Sequence, residues 1–556
     1  MRALHLLRNS TLAATVVVGL VRTDPAAFLN QVGQRAPVGI RTHLAPALER
    51  LSPPPDAART LWSAGQVTEA LASARNKGKR RLAQKLEAEA ALLSPDFTLG
   101  LPAYTPTIPV TTGGQPGEGA QTSAPETGEL RVLHLLTNSL PATQSGYTLR
   151  THRLLGALAQ RGIQLAAHTR IGYPVMVGSL TAGDTAQVGS VTYRRYLPWK
   201  LASTATERLE QWATHLARTY DRQPPQLIHT TTHFHNALVA QALAERWGVP
   251  WIYEVRGVLE ETWLSKQPEH LRAAAARSER FLLTRARETQ MMKAASQVLT
   301  LSETMKKSLI ERGVAEGRVT VVPNSVDSSL LEQNLSPREA RAQLGLPEGG
   351  FWVGSVSSLV PYEGFDTLLR ALVHLRDRGL DARLLLAGDG TDRVRLERLA
   401  QSLGVADYTV FLGRIAPELT PFAHQALDVF VVPRTNDEVC RTVTPLKPIE
   451  AMAIGRPVVV SDLPPLADLV CPEGQQPAGR VAQAEDPASF AQALLLLAEN
   501  PDARARLSAQ GRELARARTW EKQAAIVEEI YNGLLTDGAG TNRNWVTQPP
   551  ARAKEN

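Results

Sequence analysis

Two cysteines among 556 residues, Cys440 and Cys471, exclude a disulfide framework and a four-cysteine zinc site, and suit a reducing compartment. No apolar run is long enough to cross a bilayer: the longest, TLAATVVVGLV at 11–21, falls well short of the ~20 apolar residues a spanning helix needs. Arg2 and Arg8 precede it as they would in a secretory signal. No small-residue cleavage site follows, so a packed or interfacial helix is the preferred reading. No Asp-x-Asp triplet occurs anywhere in the chain, which removes a common way of holding a divalent metal against a diphosphate. Excess charge is also scarce outside one region. The net charge is +7, and residues 1–100 hold 13 Lys/Arg against 7 Asp/Glu, so the main body is nearly neutral.

The length predicts two to four domains at roughly 150 residues each, and the composition, 43% hydrophobic and 21% charged, is that of a globular chain. Residues 1–100 read as a basic helical extension. Segments 60–74 and 80–93 carry apolar residues at three- and four-residue spacings, a hairpin similar to one tetratricopeptide-type repeat with no second copy. Arg75, Lys77, Lys79, Arg80, Arg81 and Lys85 form a cluster over 75–85. It reads as a solvated face, or as a patch drawn to an anionic membrane surface at about 1 kcal/mol per basic residue. No aromatic residue is interleaved for base stacking, so no nucleic acid is expected. Residues 101–129, rich in Pro, Gly and Thr, cannot bury a core and read as a linker.

From residue 130 strands alternate with helices, twice over: LRVLHLL, IQLAAHT, LIHTTT, PWIYEV and SQVLTLS, then FWVGSVSSL, ARLLLAGDG, YTVFLGRI, LDVFVVP and RPVVVSD. Such alternation predicts parallel sheets covered on both faces, in two doubly wound units at 130–325 and 326–510. Ligands of such sheets sit beyond the carboxyl ends of the strands, which points to the cleft between the units. The tail 537–556 reads as disordered.

The most informative stretch is VCRTVTPLKPIEAMAIGRPVVVSD at 439–462. Thr444 followed by Pro445 predicts a helix start, a cap and then a proline in the first helical position. The backbone N–H groups of Leu446 and Lys447 would then be free for an anion, with the Lys447 ammonium at the same end. Glu450, three residues on, would accept hydrogen bonds from ribose hydroxyls. An ordinary capped helix with a Lys–Glu surface pair explains the stretch equally well on its own.

Taken with QSGYTLRTHRLLGALAQRG, VLTLSETMKKSLIERGV, VTVVPNSVD, VPYEGFDTLLRAL, LLLAGDG and VFLGRI, this stretch resembles the family 4 (group 1) glycosyltransferases over roughly residues 130–535. YEVRG, VPYEG and VTPLKPIEAMA resemble a bacterial subgroup associated with envelope and exported polysaccharides. The resemblance implies an α/β fold of two facing Rossmann-like domains (GT-B type), here with an N-terminal helical extension. It also implies a C-terminal helix at 511–536 crossing back to the first domain, no metal or other cofactor, a nucleotide diphosphate sugar as donor, and retention of anomeric configuration. The expected partners are the nucleotide sugar and a glycan or lipid-linked acceptor. With the basic extension, this suggests a cytoplasmic enzyme able to touch the inner face of the membrane.

Carried over by position, Glu450 matches the ribose-binding glutamate, while its usual acidic partner falls at Thr442, with Glu438 nearby. The customary phosphate-gripping arginine and lysine fall at Ser358 and Glu363. Lys447, Arg434 and Arg441 are the candidate replacements, because a diphosphate leaving group needs positive charge where its own negative charge develops. Gly388, Gly390 and Arg414 are expected to border the nucleotide. Ser145 and Gly146 would form an acceptor or phosphate loop, glycine permitting close backbone approach. Arg256 stands where many members carry a catalytic histidine. It stays protonated and cannot serve as a base, so it would bind diphosphate or acceptor with Glu254 orienting it, unless the two form a purely structural pair. Glu260 and Glu261 would serve the acceptor or start the next helix. His229, His233 and His235 lack a carboxylate or cysteine at ligand spacing, so no metal site is expected. A nucleotide-sugar 2-epimerase and a non-catalytic nucleotide- or glycan-binding protein are the alternatives to a transferase.

Overall fold

Short runs such as VLHLL and VFVV, apolar apart from His134, fit strands buried on both faces, and the computed structural model has them so. It describes residues 2–23, 56–101, 130–472, 474 and 476–540. The first sheet comprises β1 (Arg131–Leu136), β2 (Gln164–Thr169), β3 (Thr185–Val188), β4 (Val191–Arg194), β5 (Leu227–Thr231), β6 (Trp251–Glu254), β7 (Gln297–Thr300) and β8 (Val319–Val321). Their order is β3-β4-β2-β1-β5-β6-β7-β8, parallel except that β3 runs antiparallel to β4. That edge hairpin, short and polar, is not predicted by its sequence. The second sheet, β9 (Phe351–Val356), β10 (Ala382–Ala387), β11 (Thr409–Gly413), β12 (Val429–Val432), β13 (Val458–Ser461) and β14 (Arg480–Ala482), has the order β11-β10-β9-β12-β13-β14. Strand order reverses beside β1 and beside β9, and the carboxyl ends of those strands frame the cleft.

The N-terminal segment is built into the first domain. α1 (Arg2–Thr23) is pinned by Asn9, whose amide donates to Leu180 O at 2.8 Å and Ala182 O at 2.7 Å, and by fully buried Leu12. The helix expected at 60–74 is two, α2 (Ala57–Ser63) and α3 (Val67–Asn76). Gly65 breaks it with φ +90°, and a Cβ there would overlap the Ser278 side chain. With α4 (Arg80–Leu93) these helices place Trp62, Ala70, Leu86 and Leu92 in one core with Trp212, Phe234 and Met291. Within the basic cluster, Arg75 pairs with Glu87 at 2.7 Å and Lys79 pairs with Asp56, which reduces the free positive charge expected of that face.

The helices framing the cleft are α5 (Gly146–Gln160), α6 (Leu259–Leu264), α7 (Glu269–Ala275) and α8 (Glu279–Ala294) in the first half, then α9 (Phe365–Asp377), α10 (Glu438–Thr442) and α11 (Lys447–Ala453). α12 (Pro501–Ala517) and α13 (Trp520–Gly540) follow, so the helix expected at 511–536 is divided at residues 518–519. There the returning chain pairs with the outgoing one: Val326 N–H donates to Arg518 O at 3.0 Å and Trp520 N–H to Val326 O at 3.1 Å. α13 then lies against α5 and runs four residues into the segment expected as a tail. The rest of that tail, and the linker from residue 102 to 129, lie outside the described residues. No helix among the described residues is long and apolar enough to cross a membrane.

Candidate active site

Two loops meet at the carboxyl end of the second sheet. After β9 the turn Pro361–Glu363 folds against Pro433–Thr435, which follow β12. The approach requires Gly364, whose φ is +69° and whose missing Cβ would overlap Pro433 O. This contact brings Glu363 to Arg434: Arg434 Nη2 donates to Glu363 Oε1 at 2.8 Å, and Nη1 to Val443 O at 3.0 Å. Lys447 reaches the same place from α11, donating Nζ to Ser357 Oγ at 2.7 Å. Burial would raise the Glu363 carboxyl, but Arg434 and Lys447 outweigh it and hold it below its ordinary value. Burial likewise pulls Arg434 down, and Glu363 more than compensates, so the guanidinium is held more firmly protonated than usual. Burial lowers Lys447, opposed by Glu363. Two cations therefore flank one carboxylate, leaving a net positive charge. Arg434 Nε and Thr444 Oγ1 are buried without a hydrogen-bond partner.

The helix start differs from the sequence expectation. α11 begins at Lys447 with Leu446 in the cap position, and the proline of its first turn is Pro448 rather than Pro445. Thr444 does not cap it, and Asn324 Nδ2 donates to Thr444 O at 2.9 Å, tying this residue to the interdomain crossover. Leu446 and Lys447 N–H make no backbone hydrogen bond among the described residues. Glu450, one turn along, accepts from Arg153 Nη1 at 2.6 Å.

On the facing domain, Glu254 at the end of β6 is fully buried and receives three groups. Arg150 of α5 donates Nε and Nη2 to Oε1 at 2.9 and 2.6 Å, Arg256 Nη2 donates to Oε2, and His229 Nε2 lies 3.5 Å from Oε2. Burial alone would raise this carboxyl, yet Arg256 and Arg150 hold it well below the usual range. Arg256 Nη1 also donates to Tyr147 O at 3.1 Å and Thr151 Oγ1 at 2.6 Å, and only Nε is left without a partner. Tyr147, exposed in the cleft, lies within electrostatic reach of both Arg256 and Arg434. The two positive groups thus approach one opening from opposite domains.

The remaining candidates divide. Ser145 caps α5, which begins at Gly146 rather than at 148, and its hydroxyl shares the cap with Thr148; a Cβ on Gly146 would meet nothing. Gly388 and Gly390 are needed for another reason than ligand approach. Their Cβ atoms would overlap the carbonyls of Ser357 and Leu359, so these glycines let the β10 loop press on the β9 loop that carries Lys447's partner. Arg414 and Arg441 are exposed, and no hydrogen bond or ion pair among the described residues draws either into the Arg434–Glu363 cluster. Glu260 is an ion-pair partner of Arg312 at 2.7 Å, whereas burial and Glu438 across the cleft raise Glu261 to about 7. His229 Nδ1 lies 2.6 Å from the Tyr531 hydroxyl, while His233 and His235 stack on each other at the start of the next helix. Among the described residues no group of three His, Cys, Asp or Glu is arranged to hold a metal ion. Arg150, Arg153, Ser357 and Tyr147 escaped the sequence reading. The two arginines of TLRTHR, three apart on a helix whose start lines the cleft, were the available signal.

Known proteins of this architecture are similar over the same span. The family model described as Glycosyl transferases group 1 matches residues 336–514, and that of the Glycosyl transferase 4-like domain matches residues 145–325. The chain is 30% identical over 362 residues to the D-inositol 3-phosphate glycosyltransferase of Salinispora arenicola, covering 62% of this chain and 75% of that protein. It is 31% identical over 193 residues to the 2-deoxystreptamine glucosyltransferase of Streptomyces kanamyceticus, covering 34% and 48%. Among solved structures, sucrose-phosphate synthase from Thermosynechococcus elongatus aligns with a TM-score of 0.60 at 22% identity, covering 74% of this chain and all of that one. Anabaena HepE in complex with UDP and glucose aligns with a TM-score of 0.54 at 18% identity, covering 73% of this chain and all of that one. These two share its fold of two facing α/β domains.

Proposed function

The chain belongs to the group 1 glycosyltransferases, and on that premise we propose that it moves a sugar, with retention, from a nucleotide diphosphate sugar to a cell-envelope polysaccharide, glycolipid or lipid-linked acceptor. The observation that carries the reading is the pairing of Arg434 and Lys447 about Glu363 beyond the ends of β9 and β12. As the bond between the anomeric carbon and the donor phosphate breaks, negative charge collects on the departing diphosphate, and fixed cations in a water-poor site stabilise it. Leu446 and Lys447 N–H add donors at the same place. The acceptor hydroxyl attacks from the face the phosphate leaves, and its proton passes to a phosphate oxygen, so no side-chain base is required. Arg256, oriented by Glu254, supplies fixed positive charge on the facing side of the opening for diphosphate or acceptor. Closure of the domains excludes the water that would otherwise hydrolyse the donor. YEVRG and VTPLKPIEAMA support the envelope-glycan acceptor, whereas the name of the Salinispora relative favours a phosphorylated cyclitol.

The test is a thermal-shift screen of uridine, guanosine and adenosine diphosphates and their sugars, then transfer assays with lipid-linked glycans and with inositol phosphates. A specific nucleotide should raise the melting temperature and support transfer to one acceptor class. No response to any nucleotide diphosphate would overturn the donor assignment. Epimerised donor formed without acceptor would replace transfer by epimerisation, and tight nucleotide binding with no turnover would leave a binding protein.

A further inference from the structure

Glu450 is gripped from the opposite domain. Arg153, two turns into α5, donates Nη1 to Glu450 Oε1 at 2.6 Å, and its Nε lies 3.0 Å from Asp327 Oδ2. Asp327 directly follows Val326, the residue whose N–H and C=O pair the outgoing chain with the returning one at Arg518 and Trp520. One guanidinium therefore spans the interdomain crossover and a carboxylate on α11. Glu450 and Glu521 both act electrostatically on Asp327, so three carboxylates gather here and Arg153 is the cation that pairs with two of them.

A carboxylate accepts about four hydrogen bonds through its two oxygens. Among the described residues Glu450 receives one side-chain donor, at Oε1, which leaves Oε2 for a ligand. The planar fork of an arginine holding two partners at once fixes the rotamer of each, which a lysine ammonium does not. We propose that Arg153 is a positioning residue for the nucleotide ribose: it holds Glu450 Oε1 from the facing domain so that Oε2 is aimed at a ribose hydroxyl. This rests on the reading of Glu450 as the ribose-binding carboxylate. The ribose grip is then complete only when the two domains adopt this relative arrangement, and donor binding and domain orientation share one ion pair.

The experiment compares, by calorimetry on the full chain, the affinity of a nucleoside diphosphate with those of its 2′-deoxy and 3′-deoxy counterparts. The base is whichever of uridine, guanosine or adenosine diphosphate shifts the melting temperature most. Wild type should disfavour at least one deoxy form by about tenfold or more, the size of one charged hydrogen bond. Glu450→Gln and Arg153→Met should each lose most of that discrimination by weakening the ribonucleotide selectively, and Arg153→Lys should retain an intermediate part. Melting temperature and circular dichroism verify the fold of each variant, and if Arg153→Met does not fold, Arg153→Lys decides alone. Full discrimination in Glu450→Gln, or none in wild type, would remove the ribose role of Glu450 itself. Discrimination lost in Glu450→Gln but intact in both Arg153 variants would overturn the positioning role alone. Equal weakening of ribo and deoxy forms in the Arg153 variants would do the same, because it marks a merely structural residue.

Discussion

Glu363 Oε1 accepts a hydrogen bond from Arg434 Nη2 at 2.8 Å, so the position where the resemblance places a phosphate-binding lysine instead carries the counter-ion of an arginine brought from the end of the neighbouring strand, β12. Charge has changed places across the strand ends without leaving the site. Removing one partner of a buried pair strands the other. Arg434→Met should therefore cost about 3–5 kcal/mol of stability and reduce turnover strongly. Arg434→Met combined with Glu363→Leu should recover part of the stability, because Lys447 then loses the carboxylate that opposes its burial, and none of the activity. Melting curves and steady-state rates on the three proteins separate the two effects, and equal activity losses without any recovery of stability would contradict the pairing.

Lys447 is the cleaner probe of the reaction, because its contact to Ser357 is a single hydrogen bond and its removal strands only Glu363, which keeps Arg434. Lys447→Ala should lower kcat by about 10²–10³, as for other preorganised groups at a developing charge, with a small shift in melting temperature. Near-normal turnover would exclude Lys447 from the leaving-group site.

Much of this was legible in the sequence, for identifiable reasons. Unbroken apolar runs such as Val429–Val432, short, rich in β-branched residues and alternating with helical segments, read as strands buried on both faces, so the parallel cores of the two sheets follow from pattern. Glu254 and Arg256, two residues apart at a strand end, read as a pair of opposite charges in reach of each other, and Arg256 Nη2 donates to Glu254 Oε2. The start of α11 did not read correctly. Thr444-Pro445 and Leu446-Lys447-Pro448 both read as helix starts, but Pro448 has no N–H to give the Thr444 carbonyl, which is taken up by Asn324, 120 residues away. The need for glycine at the Gly65 break was equally hidden, since the atom a Cβ would meet belongs to Ser278, the cap residue of α8. Local propensity states what a segment can do, whereas a long-range contact selects among the options.

The buried carboxylates make opposite predictions for pH. Glu254 is held well below its ordinary value: burial would raise it, but Arg256 and Arg150 prevail. Its contribution is present above the unfolded value near 4.5 and is lost as pH falls through the lower folded value. Glu288, which accepts from the Tyr253 hydroxyl at 2.7 Å and from Phe234 N–H at 2.9 Å, is raised by burial to about 7. The folded state therefore binds its proton where the unfolded chain has lost it, and stability should decline as pH rises from about 4.5 to about 7, by up to about 3 kcal/mol. Glu288→Gln should reduce that slope, leaving the part that Glu261, also raised to about 7, contributes, and should leave the acid limb below pH 4.5 unchanged. An unaltered slope between those values would show that Glu288 is ionised throughout.

The N-terminal extension is expected to behave as part of the first domain and not as a detachable arm. Trp62 is 6% exposed, and the Arg280 guanidinium of α8 lies between its ring at 5.7 Å and that of Trp263 at 5.3 Å. Trp263 belongs to α6, which begins three residues after Arg256, so the extension braces the segment leading away from the cleft. Removing a large buried aromatic side chain costs about 3–5 kcal/mol, and Trp62→Ala should lower the melting temperature accordingly. Deletion of residues 1–100 should go further, because Leu86, Leu92, Met291 and Met292 share one core and the residues left behind would be exposed to water. An extension that only touched a membrane could be cut away with loss of vesicle binding and nothing else. A shared core predicts a truncated protein that aggregates or melts many degrees lower, whether or not lipid is present. Sedimentation velocity and thermal denaturation of the truncated chain distinguish the two, and a monodisperse protein with wild-type melting would restore the detachable anchor.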